Sequence, residues 1–243
     1  MIRINKYLSL CGVTSRRGAE GLIEERLVSV NDITVEKVGV IIDEEHDVVK
    51  VEGVEVRPVD EKVYVVLNKP PNVMTTLHDP FKRKTVINYL KKLPHRVYPV
   101  GRLDFDTEGV LLLTNDGDLT YRLAHPRYQV PKVYEALVEG QFTREDGAKL
   151  QQGIKLEDGA TGKARADVLG FVKNMTRVRL TLTEGRKREV KQLCKGVGHP
   201  VARLRRAEFA GITVRNMKLG EWRYLHTSEI SRLKGMVGLN VKD

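Results

Sequence analysis

Along the first 60 residues the spacing of apolar positions shortens from that of helices to that of strands. Ile4, Leu8 and Cys11 recur at helical spacing, and Gly12 closes that short helix. Ser15 is a favourable N-cap for a second helix, in which Ala19, Leu22, Ile23 and Leu27 form an apolar stripe. Short β-rich runs follow: Val28-Ser29-Val30, a turn at Asn31-Asp32, Ile33-Thr34-Val35, Val38 to Ile42, and Val48 to Val56. Two helices and a small sheet make a module of about 60 residues, marginal in stability by itself.

From about Lys62 the pattern changes. Val63-Tyr64-Val65-Val66-Leu67 is a continuous apolar run of strand length, which predicts a central, buried strand. Asn68-Lys69-Pro70-Pro71 is expected to stop it. Further strands are predicted at 97–100, 109–114, 132–139, 166–172, 176–183 and 200–206, and helices at 85–92, 117–124, 143–152, 187–196 and 227–234. Strands and helices mix without a regular βαβ repeat, so the fold class is α+β with a largely antiparallel sheet. A shift in charge and the Pro58-Val59-Asp60-Glu61 stretch divide the chain into units of 1–60 and 62–243.

Composition narrows the partners. The chain is 41% hydrophobic and 30% charged, ordinary for a globular protein that buries real cores. No segment approaches the roughly 20 apolar residues needed to span a bilayer, and Met1-Ile2-Arg3-Ile4-Asn5 lacks the apolar start of a secretory signal. A cytoplasmic protein without a membrane partner is expected. Cys11 and Cys194 stand far apart, in no metal-binding or redox spacing. The net charge of +10 is uneven: residues 1–60 carry eight Lys/Arg against twelve Asp/Glu, and the remainder 34 against 20. Such a basic excess favours a polyanionic partner, because each neutralised phosphate releases counterions.

The most unusual stretch is Gly101-Arg102-Leu103-Asp104-Phe105-Asp106-Thr107-Glu108-Gly109, a polar loop set between two apolar strands. A loop held by the sheet beneath it is a common mount for catalytic groups. A tight connection whose Asp and Thr cap backbone amides is the plainer reading, and spacing alone leaves both open. Among the nearby carboxylates, Asp116-Gly117 reads as a turn pair and Asp118 suits the first turn of a helix. Asp104 has no such explanation.

Two more segments stand out. In Glu184-Gly185-Arg186-Lys187-Arg188-Glu189-Val190-Lys191, a helix beginning near Lys187 would put Lys187 and Lys191 on one face, with Arg188 beside them. Arg203, Arg205 and Arg206 add a second basic cluster in a predicted strand. A solvated face and a nucleic-acid surface both fit such runs. In Lys132-Val133-Tyr134-Glu135-Ala136-Leu137-Val138, alternation places Tyr134, Ala136 and Val138 on one face. Tyr134 is then either core or a ring on which a base stacks. P-loop, dinucleotide-binding, zinc-protease and serine-hydrolase motifs are missing, and the six histidines are scattered, so no cofactor and no metal are expected.

Together these segments resemble the ribosomal pseudouridine synthases of the RsuA/RluB branch, over nearly the whole chain. Gly101-Arg102-Leu103-Asp104 with Thr107, Gly109 and Leu111 to Gly117 is similar to that family's catalytic signature, and Asn68-Lys69-Pro70 with Thr75 to its first motif. Lys132-Val133-Tyr134 with Gly140 resembles its tyrosine motif. Glu184-Gly185-Arg186 with Arg188, Val190 and Lys191, then Gly198-His199-Pro200-Val201 and Leu204, resembles its basic motif. Residues 1–60 are similar to an S4 RNA-binding domain, notably Asn5-Lys6-Tyr7-Leu8, Ser15-Arg16-Arg17 and Val30-Asn31. Asn72 departs from the family pattern, standing where a glycine is usual.

The resemblance implies an S4-type domain followed by a synthase domain whose mixed, largely antiparallel sheet is flanked by helices. It implies that Asp104 initiates cleavage of the N-glycosidic bond, Tyr134 stacks on the target uracil, and Lys191 pairs with the catalytic aspartate. RNA contacts fall by the same resemblance to Arg102, Arg186, Arg188, Lys69 and Arg203, and in the first unit to Arg3, Lys6, Arg16 and Arg17. The implied partner is ribosomal RNA, 23S rather than 16S from the pattern Thr76-Leu77-His78-Asp79-Pro80 with Arg83 and Thr85-Val86, free or in an assembling large subunit; the protein is expected to be a monomer. A catalytically silent RNA-binding protein and a nuclease are the competing functions. The first is disfavoured by Asp104, Tyr134 and Lys191 occurring together, the second by the missing metal cluster and paired histidines.

Overall fold

The computed structural model describes residues 1–59 and 61–239; residues 60 and 243, expected unit ends, lie outside them. The chain forms two compact units, Met1–Lys62 and Val63–Asp243.

The first unit contains β1 (Ile2–Arg3), α1 (Ile4–Leu10), α2 (Arg16–Glu24), β2 (Val28–Val30), β3 (Ile33–Thr34), β4 (Ile41–Ile42), β5 (Val49–Val51) and β6 (Val54–Glu55). Ser15 caps α2 by accepting from the Gly18 amide at 2.9 Å. Ile4, Leu8, Ala19 and Ile23 form the core with Val28, Ile42 and Val49. Asn31 and Asp32 both take positive φ, as a two-residue I′-type hairpin turn requires, and join β2 to β3. The Val48–Val56 run is not one strand. Glu52 and Gly53, also at positive φ, fold it into the β5–β6 hairpin.

The second unit contains β7 (Tyr64–Lys69), β8 (Tyr98–Pro99), β9 (Glu108–Thr114), α3 (Gly117–Ala124), β10 (Lys132–Glu139), α4 (Arg144–Gln152), β11 (Ile154–Lys155), β12 (Thr161–Gly162), β13 (Arg165–Val172) and β14 (Met175–Leu182). It continues with α5 (Glu189–Gly196), β15 (Val201–Phe209), β16 (Ile212–Thr213), β17 (Trp222–Tyr224) and α6 (Thr227–Met236). The main sheet runs β13-β14-β10-β15-β9-β7-β17, with β8 on β9 and β16 on β15. Its strand pairs are antiparallel except β9 with β15, so the α+β expectation of a largely antiparallel sheet holds.

Every residue of β7 and β9 is buried, because apolar clusters cover both faces. One face packs Val65, Leu67, Leu111 and Leu113 against Leu193 and Cys194 of α5. The other packs Val66, Val110 and Leu112 against Leu119 and Leu123 of α3 and Leu233 of α6. β10 buries alternate residues only.

Several expectations need correction. The first long strand runs through Lys69 rather than stopping at Asn68, because Asn68 and Lys69 continue the ladder with Val110 and Gly109. It lies one place from the sheet edge, beside the short β17. The helix expected at 85–92 is a single 3-10 turn, Val86–Tyr89, whose Thr85 cap is closed by Asn88. α5 begins at Glu189, not Lys187, because Arg188 adopts a left-handed cap conformation. Asn72 takes φ +60°, so the family's glycine is replaced by a residue that tolerates the left-handed region.

Candidate active site

The loop between β8 and β9 is braced from beneath by a buried cation. Lys69 is fully buried, and its Nζ donates to the carbonyls of Pro70, Asp104, Phe105 and Thr107 at 3.1, 3.1, 3.3 and 2.8 Å. Burial pulls its pKa down to about 8. Thr75 adds a second clamp: its hydroxyl donates to the Leu103 carbonyl at 2.8 Å and accepts from the Leu103 amide at 3.3 Å. The Thr107 amide donates to the Asp104 carbonyl, closing the turn. Gly109, at φ +109°, lies where a Cβ would meet the Arg206 carbonyl oxygen at 2.2 Å, so glycine lets β9 and β15 pair.

This bracing uses the Asp104 backbone and leaves its carboxylate out. Among the described residues the Asp104 side chain makes no hydrogen bond and no ion pair; it is half-buried and lines a cavity of about 490 Å³. The backbone-cap alternative is thereby removed for Asp104.

The cavity floor comes from three adjacent strands, with a register shift between Val133 and Tyr134 where β10 meets β15. Lys132 pairs with Leu182 and Phe209, and Tyr134 with Leu180 and Arg206. Lys132, Tyr134, Leu182, Arg206 and Phe209 therefore reach the same space, joined by Leu204. Tyr134 is 8% exposed and belongs to the core as well as to the cavity wall, so the two readings of it are not exclusive. Lys132 is buried, and its pKa falls to about 8, through desolvation first and the nearby Arg206 charge second. Glu189 also lines the cavity; burial raises its carboxyl pKa against the pull of the Arg186 amide.

Arg102, Arg186, Arg188 and Lys187 are exposed and line the cavity. Arg186 is partly neutralised by Glu184 at 2.7 Å and Asp158 at 3.4 Å. Arg203 has an exposed side chain but pairs with the buried Glu108 at 2.7 Å. In the first unit Arg3, Lys6, Arg16 and Arg17 are exposed, with no carboxylate partner among the described residues, on a segment whose first acidic residue is Glu20.

Two assignments change. Lys69 is no RNA contact, since a fully buried ammonium bonded to four carbonyls meets no phosphate. Lys191 does not pair with Asp104. Starting α5 at Glu189 puts Lys191 in its first turn, where its Nζ lies 2.6 Å from Asp106 Oδ1, outside the cavity lining. Burial would raise the Asp106 pKa, but the Lys191 hydrogen bond and charge outweigh this and hold it below the usual range.

From the sequence Lys132 stands out only within the tyrosine motif, and Arg206 only with Arg203 and Arg205 as a solvated face or nucleic-acid surface; Arg206 is instead buried, and both residues belong to the cavity. The signal was available: Lys132 is two residues from Tyr134, and Arg206 two from Leu204, so strand alternation puts each on the cavity face. Among the described residues no group of three or more His, Cys, Asp or Glu side chains is placed to hold a metal, and no helix is long and apolar enough to cross a membrane.

Residues 63–195 match the family model described as RNA pseudouridylate synthase. An RNA pseudouridine synthase of Aquifex aeolicus is 44% identical over 239 residues, covering 98% of this chain and 96% of the relative. The ribosomal large subunit pseudouridine synthase B of Bacillus subtilis is 40% identical over 238 residues, covering 97% of each. A crystal structure of a pseudouridylate synthase, 27% identical, superposes with a TM-score of 0.68 over 96% of this chain and all of that one.

Proposed function

The chain belongs to the RNA pseudouridylate synthase family, and we propose from that premise that it isomerises one uridine of ribosomal RNA, with Asp104 as the essential carboxylate. The observation that carries this reading is the Asp104 side chain: unpartnered among the described residues, half-buried, and held by its own backbone beside a cavity that Tyr134 also lines. A cavity of about 490 Å³ suits one extruded nucleobase and not a duplex. Extrusion of a base costs a few kcal/mol, least in unpaired RNA, so a loop uridine is the expected target.

Tyr134 supplies the stacking surface, and Asp104 opens the reaction at the sugar or the base. Uracil detaches, turns and rejoins through C5, a reaction without net redox or hydrolysis. Arg102, Arg186 and Arg188 approach the phosphates around the target, whereas Arg203, paired with Glu108 and outside the cavity lining, does not. Lys191 supplies positive charge to the loop through Asp106.

The target is placed in 23S rRNA, a reading supported by similarity over nearly the full chain to a relative named for the ribosomal large subunit. The first unit acts as an S4-type RNA-binding domain, its contacts led by Arg3, Lys6, Arg16 and Arg17. The protein works in this reading as a cytoplasmic monomer. Chemical mapping of pseudouridine in ribosomal RNA from cells lacking the protein tests it. Loss of a single 23S modification is expected; loss confined to 16S rRNA, or an unchanged map, would overturn the target assignment.

A further inference from the structure

Arg206 brings a positive charge to a part of the cavity where no group of opposite charge meets it. It is 2% exposed; its Nε donates to the Val110 carbonyl at 2.8 Å, and its Nη2 is buried without a hydrogen-bond partner among the described residues. It makes no ion pair there. A guanidinium does not release its proton inside a protein, so burial cannot be relieved by neutralisation. A buried polar donor without a partner is rare in a native fold, and Arg206 is one of the residues that line the cavity, so this donor belongs to a side chain beside the space a ligand would fill.

Its surroundings define that ligand. The Arg206 guanidinium lies 4.8 Å from the centre of the Phe209 ring, and Lys132 Nζ lies 5.6 Å from the same ring. Lys132 directs two of its N–H groups to the Val130 and Thr183 carbonyls, at 3.1 and 3.0 Å. Arg206 stands opposite Tyr134 in the sheet, so a base against that ring has this guanidinium on the neighbouring strand. The floor thus holds two buried cations, Arg206 and Lys132, while the exposed arginines at the rim suit phosphates.

We propose that Arg206 donates through Nη2 to a carbonyl oxygen of the target uracil and stabilises the ring as it carries negative charge. This rests on the synthase reading above. When the C1′–N1 bond breaks, its electron pair stays on uracil and spreads over the ring carbonyls. C5 then bonds to C1′ with an electron pair of the same ring, the C5 proton leaves to solvent, and N1 takes up a proton from solvent, so the product is a neutral isomer. Arg206 keeps its own protons throughout. Its contact strengthens as charge builds on the base, which is the condition for raising the rate rather than only the affinity.

Single-turnover rates and RNA dissociation constants of Arg206→Gln and Arg206→Lys test the assignment, with melting curves to show that each variant folds. Arg206→Gln is expected to lower the rate constant about 100-fold or more while the dissociation constant moves no more than about threefold. Arg206→Lys should fall between that variant and the native protein. Unchanged protein with RNA carrying 2-thiouridine or 4-thiouridine at the target needs no folded variant: sulfur accepts hydrogen bonds poorly, so one of the two should react at least tenfold more slowly than uridine. An Arg206→Gln variant turning over within threefold of native, a loss confined to affinity as for a phosphate anchor, or two thio substrates as fast as uridine would each overturn the role of Arg206. Full activity in Asp104→Asn would overturn the catalytic reading instead.

Discussion

Lys191 is bonded to Asp106, at 2.6 Å from its Oδ1, and leaves Asp104, two residues earlier on the same loop, without a cation partner. The bridge fastens α5 to the outer side of the loop, while Lys69 fastens the inner side. One carboxylate is held in an ion pair, and the other is left unpaired among the described residues.

The two carboxylates should therefore respond differently. Asp106→Asn should leave turnover within about tenfold, because it removes one partly exposed bridge of small net energy. Lys191→Ala should lower turnover by about 100-fold, since it also removes charge from the loop that carries Asp104. A double variant no slower than Lys191→Ala would show that the bridge acts only through the lysine. Steady-state rates of the three proteins decide this.

Asp104→Asn keeps shape and volume but removes the carboxyl group. Turnover should drop by several orders of magnitude while RNA affinity and melting temperature stay near native. Tritium release from RNA labelled at uridine C5 measures the loss, and a near-normal rate would remove Asp104 from the mechanism.

Lys69→Met keeps the length of the side chain and withdraws its donors from four backbone carbonyls. The Asp104 and Phe105 carbonyls keep their bonds from the Thr107 and Val73 amides, so the Pro70 and Thr107 carbonyls bear the loss, at about 1–3 kcal/mol each, and roughly 2–5 kcal/mol in all is expected. Activity should fall with it, because the turn that presents Asp104 loses its brace. Denaturant titration gives the first quantity and turnover under native conditions the second.

Acid stability offers a test remote from the cavity. Asp146 accepts from the Thr143 amide and hydroxyl and lies 3.2 Å from His199 Nε2 and 3.3 Å from Lys149 Nζ. Burial alone would raise its pKa, but these bonds bring it down to about 2. The folded value lies below the unfolded one, so the stabilisation is complete above about pH 4 and is lost as pH falls toward 2. Asp146→Asn should cost on the order of 1–2 kcal/mol at neutral pH and should flatten the dependence of stability on pH between 4 and 2. Thermal melts across that range give the comparison.

Removing residues 1–62 should leave a folded, cooperatively melting core, because the two units have separate apolar cores. RNA binding should weaken, and the slope of log affinity against log salt should shrink by up to about three if Arg3, Lys6, Arg16 and Arg17 each neutralise a phosphate. An unfolded truncation product would contradict the independence of the second unit.

What the sequence made legible depended on how local the cause was. The strands Glu108–Thr114 and Lys132–Glu139 were readable because burial on two faces or on one is written directly in the apolar pattern. Asp104 stood out because nothing local explained it. The start of α5 was misread because a left-handed Arg188 leaves no mark in composition. Lys69 looked like a surface cation beside two prolines. Three of its partners, the carbonyls of Asp104, Phe105 and Thr107, lie more than thirty residues onward and become visible only once the loop has folded over it. Lys132 and Arg206 were hidden for the same reason: alternation gave their face, but only the pairing of three strands turned that face into a cavity.

The seam at Gly109 has a consequence for how damage would spread through this enzyme. Here β9, which ends the loop of Asp104, runs alongside β15, which bears Arg206, with no room for a methyl group between them. An alanine at this position would act as a wedge, parting the acid from the guanidinium along the grain of the sheet. The protein could keep every reacting side chain and still lose its aim.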